Sequence, residues 1–258
     1  MTTLAEVLND LRVETQVLDD VLSTLDEAGW RIETPAVGWD SRDTIGHLAG
    51  TDDLMYESIT SEPQALLAAT AEATGGADPS PTAVDDFTAW QIEKVRKLSW
   101  QDVYAWWHSS TARLHELLGT LDPAQRYPWG PNKISPLSLC SARLMETWAH
   151  SLDVHAAAGV EYIDTDRLRH IAHLGVRALP YAFMLERLDA PGAIRAELTA
   201  PDGEQWSFGP DDAPTVIRGT AGDWCRVVAR RDRDGAAGRL QGEGPDAANA
   251  IEHGRAFL

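Results

Sequence analysis

A long helix near the middle of the chain constrains the fold most, and it brings a carboxylate and an imidazole together. Pro136 suits the first turn of a helix and Gly159 suits its end, so we expect a helix from residue 136 to about residue 158. Glu146 and His150 are four residues apart, which places both side chains on one face of this helix, one turn apart. A carboxylate and an imidazole in this arrangement can hold one metal ion.

A metal site needs at least one more ligand, and the best candidate is His47, about a hundred residues upstream. His47 lies early in another predicted helix, which we expect Ser41 to cap. Two imidazoles and one carboxylate, with water in an open position, bind zinc in many enzymes and also suit iron, nickel or manganese. The same residues are also typical of a hydrogen-bonded core histidine and of a surface Glu–His pair, so both interpretations stay open at this point.

Two neighbours of His150 on the predicted helix differ in what they can contribute. Asp153 follows His150 by three residues on nearly the same face, where it could orient the imidazole or remain a surface acid. His155 is five residues beyond His150, roughly 140° around the helix, so we do not expect it to be a ligand.

Composition excludes several classes of protein. The chain has 258 residues, which suits one large domain or two modest ones. A net charge of −18 argues against nucleic acid or an anionic membrane as a partner. No secretory signal and no apolar run of about 18 residues is visible, so we predict a cytoplasmic protein. The candidate metal site predicts that its partner is a small-molecule substrate. Cys140 and Cys225 form no C-x-x-C pair, which excludes a disulfide framework, and we expect both to be buried thiols.

The periodicity predicts a mainly α fold with an α+β tail. Helical spacing covers residues 3–28, 41–55, 81–121 with a new start at Ser99, and 136–158, with loops at 63–80 and 122–135. These four segments predict a four-helix bundle over residues 1–160. After a further predicted helix at 164–188, apolar residues recur at every second position, which is typical of strands. Residues 161–258 are therefore expected to form a smaller α+β domain. Its predicted strands are 193–199, 205–208, 215–218 and 238–243, and its predicted helices are 224–230 and 246–257.

Aromatic and basic side chains near the three candidate ligands could shape a pocket. The predicted pocket residues are Trp39, Arg42, Trp107, Arg143 and Trp148. The tryptophans also suit core packing, and either arginine could hold a substrate carboxylate or form an ordinary salt bridge. Glu14, Asp52 and Asp53 are expected to be solvated or capping charges, so no residue stands out as a general base.

Two motifs carry a resemblance to a known family. W-D-x-R-D-x-x-G-H-L at residues 39–48 and R-x-x-E-x-W-A-H-x-x-D-V at residues 143–154 resemble the DinB-like superfamily. The nearest parts of it are the mycothiol-dependent maleylpyruvate isomerase branch and a neighbouring actinobacterial group. This resemblance implies a divalent metal, usually zinc, on His47, Glu146 and His150. It also implies a sterol-carrier-like character for the α+β tail.

The resemblance implies a metal-dependent isomerase or transferase that uses mycothiol. The metal would activate a thiol or water, or polarise a carbonyl. Two alternatives remain from the sequence. One is a thiol-independent isomerase, cyclase or hydrolase that acts on a small acid or polyketide-like molecule. The other is a non-catalytic protein that binds a metal and an apolar ligand.

Overall fold

Several bundle helices begin next to residues whose side chains cap them. In the computed structural model, the described residues are 2–61, 83–129, 132–232 and 234–256. The elements before residue 135 are α1 (Leu4–Leu22), α2 (Glu27–Trp30), α3 (Ser41–Thr60), α4 (Ala83–Val95), α5 (Trp100–Thr120), β1 (Tyr127–Trp129) and β2 (Asn132–Ile134). Thr3 and Glu6 form a capping box at α1, and Ser99 accepts a hydrogen bond from the Asp102 amide at α5.

Helix α6 (Pro136–Ala158) has the ends that the sequence predicts. Ser135 accepts a hydrogen bond from the Ser138 amide, and Pro136 occupies the first turn. Gly159 follows the last turn with φ of 67°, a left-handed conformation that glycine adopts without a steric penalty. The helix therefore holds Glu146 and His150 on one uninterrupted segment.

Several predicted boundaries in the first half of the chain are wrong. The helix predicted over residues 3–28 ends at Leu22, and Asp26 then caps the short helix α2. Asp40, rather than Ser41, caps α3. The helical stretch expected from 81 to 98 ends at Val95. The predicted loop 122–135 contains the antiparallel hairpin β1–β2, while the predicted loop 63–80 lies outside the described residues.

The helices of the first half enclose an apolar core. Its members come from α1, α2, α3, α4, α5 and the C-terminal part of α6, and they are Leu18, Val21, Leu22, Trp30, Ile45, Leu48, Ala49, Val95, Val103, Trp107 and Val154. Trp100 stacks on Trp30 at a ring-centroid distance of 5.4 Å. Long helices that share one core make the four-helix bundle that the sequence predicts.

The second half is the predicted α+β tail. Its elements are α7 (Leu168–Leu185), β3 (Ile194–Thr199), β4 (Gln205–Phe208), β5 (Thr215–Thr220), α8 (Ala221–Val228), α9 (Ala236–Arg239), β6 (Gln241–Glu243) and α10 (Ala247–His253). The sheet order is β4-β3-β5-β6, with β3 and β5 parallel and both outer pairs antiparallel. Buried residues along β3 alternate with half-buried or exposed ones, which confirms the period of two that predicts this strand.

The chain divides into two compact units. The first contains residues 1–140 and 150–162, and the second contains residues 141–149 and 163–258. The domain boundary near residue 160 stays a prediction. Among the described residues, no helix is both long enough and apolar enough to cross a membrane.

Candidate metal centre

Helix α6 carries one imidazole together with a carboxylate that contacts its ring. His150 is buried and Asp153 is completely buried. The Nδ1 atom of His150 lies 3.1 Å from Oδ2 of Asp153. A carboxylate accepts hydrogen bonds, so this contact favours the tautomer with hydrogen on Nδ1 and the lone pair on Nε2.

Helix α3 carries the second imidazole, which has a partner of a different kind. The Nδ1 atom of His47 lies 3.1 Å from Oε1 of Gln91, a residue of α4. An amide oxygen is also an acceptor, so His47 favours the same tautomer as His150. Both lone pairs are then on Nε2, the arrangement found in histidines that bind metals and are held by a neighbouring acceptor.

The three predicted ligands lie together. One ligand atom from each of His47, Glu146 and His150 falls within 4.8 Å of the other two. The two imidazole rings meet edge to face, with centroids 5.1 Å apart. Zinc bonds to such atoms are about 2.0–2.2 Å long, so small side-chain rotations would let one ion reach all three. In the part of the chain that the structure describes, this group has three members, which leaves one position of a tetrahedral ion for another ligand.

Trp39 lies beside both histidines. Its ring centroid is 5.1 Å from that of His47 and 5.9 Å from that of His150, and it is nearly parallel to His150. The loop that carries Trp39 is anchored where Thr34 donates from both its amide and its hydroxyl to the Trp39 carbonyl. The indole therefore lies against both candidate histidine ligands, and its pocket role stays a prediction.

The other four predicted pocket residues are buried. Arg42 directs its guanidinium at the Arg96 and Leu98 carbonyls, between the carboxylates of Asp40 and Asp43. Trp107 packs in the bundle core, and its indole is stacked with the Tyr104 ring. Arg143 and Trp148 are 3% and 1% exposed, and the Arg226 guanidinium lies 5.8 Å from the Trp148 ring. A pocket role for these four residues stays a prediction.

Two acids differ from their expected surroundings. Glu14 is fully buried and accepts a hydrogen bond from the Tyr162 hydroxyl at 2.7 Å, rather than facing solvent. Asp52 is 4% exposed and accepts from the Thr111 hydroxyl. Both act as buried acceptors that connect elements of the first unit, because a buried carboxylate requires hydrogen-bond partners.

The sequence does not mark Gln91 as a functional residue, whereas helical spacing places His155 outside the ligand group. A glutamine on a helix has no local pattern that marks it as the partner of a distant histidine. The nearest signal is a pair of glycines on α3, Gly46 and Gly50, which predict close approach of another helix. His155 lies with Nδ1 2.8 Å from the Ser151 carbonyl and its ring against Tyr162, and it is not in the group.

The sequence matches a known family. Residues 11–155 match the family described as the mycothiol maleylpyruvate isomerase N-terminal domain, which is more than half of the chain. The protein belongs to this family. The match confirms the resemblance to the maleylpyruvate isomerase branch of the DinB-like superfamily.

Individual relatives match over most of their length. Uncharacterized proteins from two strains of Mycobacterium tuberculosis are each 39% identical over 223 residues, which cover 86% of this chain and 84% of theirs. The crystal structure of the mycothiol-dependent maleylpyruvate isomerase gives a TM-score of 0.60 at 18% identity and covers 95% of this chain and 96% of that chain. A histidine-to-alanine mutant of that enzyme gives 0.58 with the same identity and coverage. At 18% identity, the likeness shows a shared fold.

Proposed function

We propose that this protein is a metal-dependent enzyme that uses a thiol cofactor, with mycothiol as the first expectation, to isomerise or transfer a group on a small organic molecule. Family membership supports the choice of mycothiol, because the description of the family names it. The proposed metal ligands are His47, Glu146 and His150, and zinc is the first metal to test.

One observation carries this proposal. Two imidazoles and a carboxylate lie close together, and the Nδ1 atom of each imidazole lies beside a hydrogen-bond acceptor from another residue. Histidines that serve only in packing do not need ring nitrogens close to each other and to one carboxylate. Here the ligand atoms of all three residues lie within 4.8 Å of one another, and Asp153 and Gln91 hold the two tautomers. This donor set suits zinc and related divalent ions.

Three residues around the candidate ligands affect how the two histidines could bind a metal ion. Asp153 and Gln91 hold a proton on Nδ1 of each imidazole, which keeps both rings in a ligand-competent tautomer. The Trp39 indole covers one side of the histidine pair and limits the access of water there. A divalent ion held in this place would lower the pKa of a bound thiol or water and would polarise a substrate carbonyl.

Metal content tests the ligand set directly. We expect about one equivalent of zinc in the wild-type protein and loss of most of it in His47→Ala, Glu146→Gln and His150→Ala, because each variant removes one of the three ligands that the described residues supply. The matched control is His253→Ala, whose ring lies 3.9 Å from the Glu252 carboxylate in the second unit. Metal that is retained in all three ligand variants would rule out the ligand set.

Turnover with mycothiol and maleylpyruvate tests the reaction class. We expect isomerisation that requires both the thiol and a stoichiometric metal, and that is lost in His47→Ala. Turnover of maleylpyruvate that is equal with and without thiol would favour the thiol-independent alternative. A protein that binds zinc but turns over neither maleylpyruvate nor other electrophiles with mycothiol would contradict the proposed thiol chemistry.

A further inference from the structure

Gln91 is enclosed between the His47 ring and the backbone of helix α3. Its side chain is almost fully buried, with Oε1 3.1 Å from His47 Nδ1. The other end of the amide lies against Gly50, where an added Cβ would come within 1.8 Å of Nε2. No heavy atom can occupy that position beside the amide, so the present place of Gln91 requires glycine at residue 50.

A second glycine repeats this contact one turn earlier on α3. An added Cβ at Gly46 would lie 2.5 Å from both methyl groups of Val95. Gly46 and Gly50 are four residues apart on α3, and Val95 and Gln91 are four residues apart on α4. We call these two glycines the glycine seam. The seam lets α4 approach α3 closely, with one turn of each helix facing one turn of the other.

We propose that Gln91 is a positioning residue that acts through His47, and that the seam exists to admit its amide. Gln91 accepts a hydrogen bond from Nδ1 and so leaves the lone pair of His47 on Nε2, where it could bind a metal ion. This inference rests on the proposed function for its purpose, while the hydrogen bond itself can be tested in protein that contains no metal.

The neutral amide complements the charges around the candidate ligands. Glu146 and the buried Asp153 already place two carboxylates close to the histidine pair. If a carboxylate replaced the Gln91 amide beside His47, it would be the third in this place and would add negative charge to a chain whose net charge is −18. A glutamine supplies the acceptor that fixes the tautomer and adds no charge.

The tautomer of His47 is the first readout, because loss of packing alone does not change which nitrogen carries the proton. We expect the Nδ1–H form in metal-free wild-type protein, measured from ¹⁵N shifts at a pH where His47 is neutral. Gln91→Met removes the acceptor and should lose this preference, whereas Gln91→Glu should keep it. Gln91→Asn withdraws the amide by one methylene, and it replaces the methionine variant if that variant does not fold.

Zinc affinity is the second readout. Loss of a residue that hydrogen-bonds to a metal-binding histidine typically lowers metal affinity about 10- to 100-fold, and we expect a loss of that size in Gln91→Met. Gly50→Ala should lose as much, although alanine is the better helix former, because its methyl group displaces the amide. The control is Val95→Ala, which loosens the same seam and leaves Gln91 in place, so its affinity should stay within about twofold of wild type.

The results of these measurements separate the role of Gln91 from helix packing and from the proposed function. An unchanged His47 tautomer in Gln91→Met or Gln91→Asn would overturn the proposal. Equal losses of zinc affinity in Val95→Ala and Gly50→Ala would show that the seam acts only through helix packing, and would overturn the role of the amide. A wild-type protein that binds no zinc through His47 would instead refute the proposed function, and the tautomer measurement would still report on Gln91.

Discussion

At the scale of single residues, the two candidate imidazoles are held by different chemistry. His150 is paired with a carboxylate from its own helix, three residues further on, so one local segment supplies both groups. His47 depends on an amide from another helix. A carboxylate partner raises the basicity of an imidazole more than a neutral amide does. We therefore expect His150 to donate its electron pair to a bound metal ion more strongly than His47 does.

Asp153→Ala tests this pairing. We expect zinc affinity to fall about 10- to 100-fold, because the His150 ring loses the acceptor that fixes its tautomer. Asp153→Asn keeps an acceptor and loses the charge, so its affinity should lie between those of wild type and Asp153→Ala. Competition with a chromophoric chelator measures both. Glu204→Ala, which alters an exposed acid in the second unit, is the control and should not change affinity.

At the scale of elements, Arg96 ties the end of α4 to the start of α3 and to the loop that carries Trp39. Its guanidinium donates to Asp43 Oδ2 at 2.7 and 3.0 Å and to the Gly38 carbonyl at 2.6 Å. The hydrogen bond to Asp43 is the main reason that the pKa of Arg96 is raised. Asp43 is 2% exposed, so its carboxylate depends on protein partners for solvation.

Arg96→Ala should destabilise the protein by about 1–3 kcal/mol, because it removes a strong partner from a buried carboxylate. Arg113→Ala is a matched comparison. Both arginines are about half exposed and both donate at 2.7 Å, but the Asp53 partner of Arg113 is 29% exposed. The second variant should cost less than about 1 kcal/mol. Urea unfolding measures both, and equal costs would show that burial of the carboxylate does not decide the difference.

Helix ends were predictable where local chemistry marks them. Pro136 and Gly159 fix both ends of α6, and Ser99 fixes the start of α5. The end of α1 was misplaced because the apolar spacing continues through Leu25, although the chain has already left the helix after Leu22. The β1–β2 hairpin was missed because each strand has three residues and one contains Pro128, which is typical of a loop.

Two residues of the candidate site were predictable from local spacing, and a third was predictable from a sequence motif. Glu146 and His150 could be paired from helical spacing, and His47 joined them through the family motif. Gln91 could not be found this way. Its contact with His47 depends on how closely α4 approaches α3, and that distance is set by tertiary packing against Gly46 and Gly50.

At the scale of the whole molecule, each compact unit contains one of the two cysteines. Cys140 lies in the first unit and Cys225 in the second, and both are completely buried, as the sequence predicts. Burial raises the pKa of the Cys140 thiol to about 12, although the charge of Arg12 lowers it. Burial is also the main reason that the pKa of Cys225 is raised well above its ordinary value. Each thiol can therefore report on the opening of its own unit.

We expect neither thiol to react with Ellman's reagent in native protein at about pH 8, and two equivalents to react after unfolding. Because the folded state holds the Cys140 proton more tightly, its contribution to stability is complete below the ordinary pKa of 9.0 and is lost as the pH rises toward about 12. Cys140→Ala should reduce this alkaline loss in urea unfolding. Fast reaction of one native thiol would identify the unit that opens first.

The candidate ligands stand about a hundred residues apart along the chain, and this separation has a consequence for folding. An ion bound to both His47 and His150 would act as a removable cross-link that closes a very long loop. Because the two ligands come together only in the folded bundle, the ion would bind the folded chain and not the unfolded chain, and would stabilise the folded state according to its affinity. The ligands cannot meet before α3 and α6 have docked, so metal binding would come late in folding. It would stabilise a bundle that has already assembled.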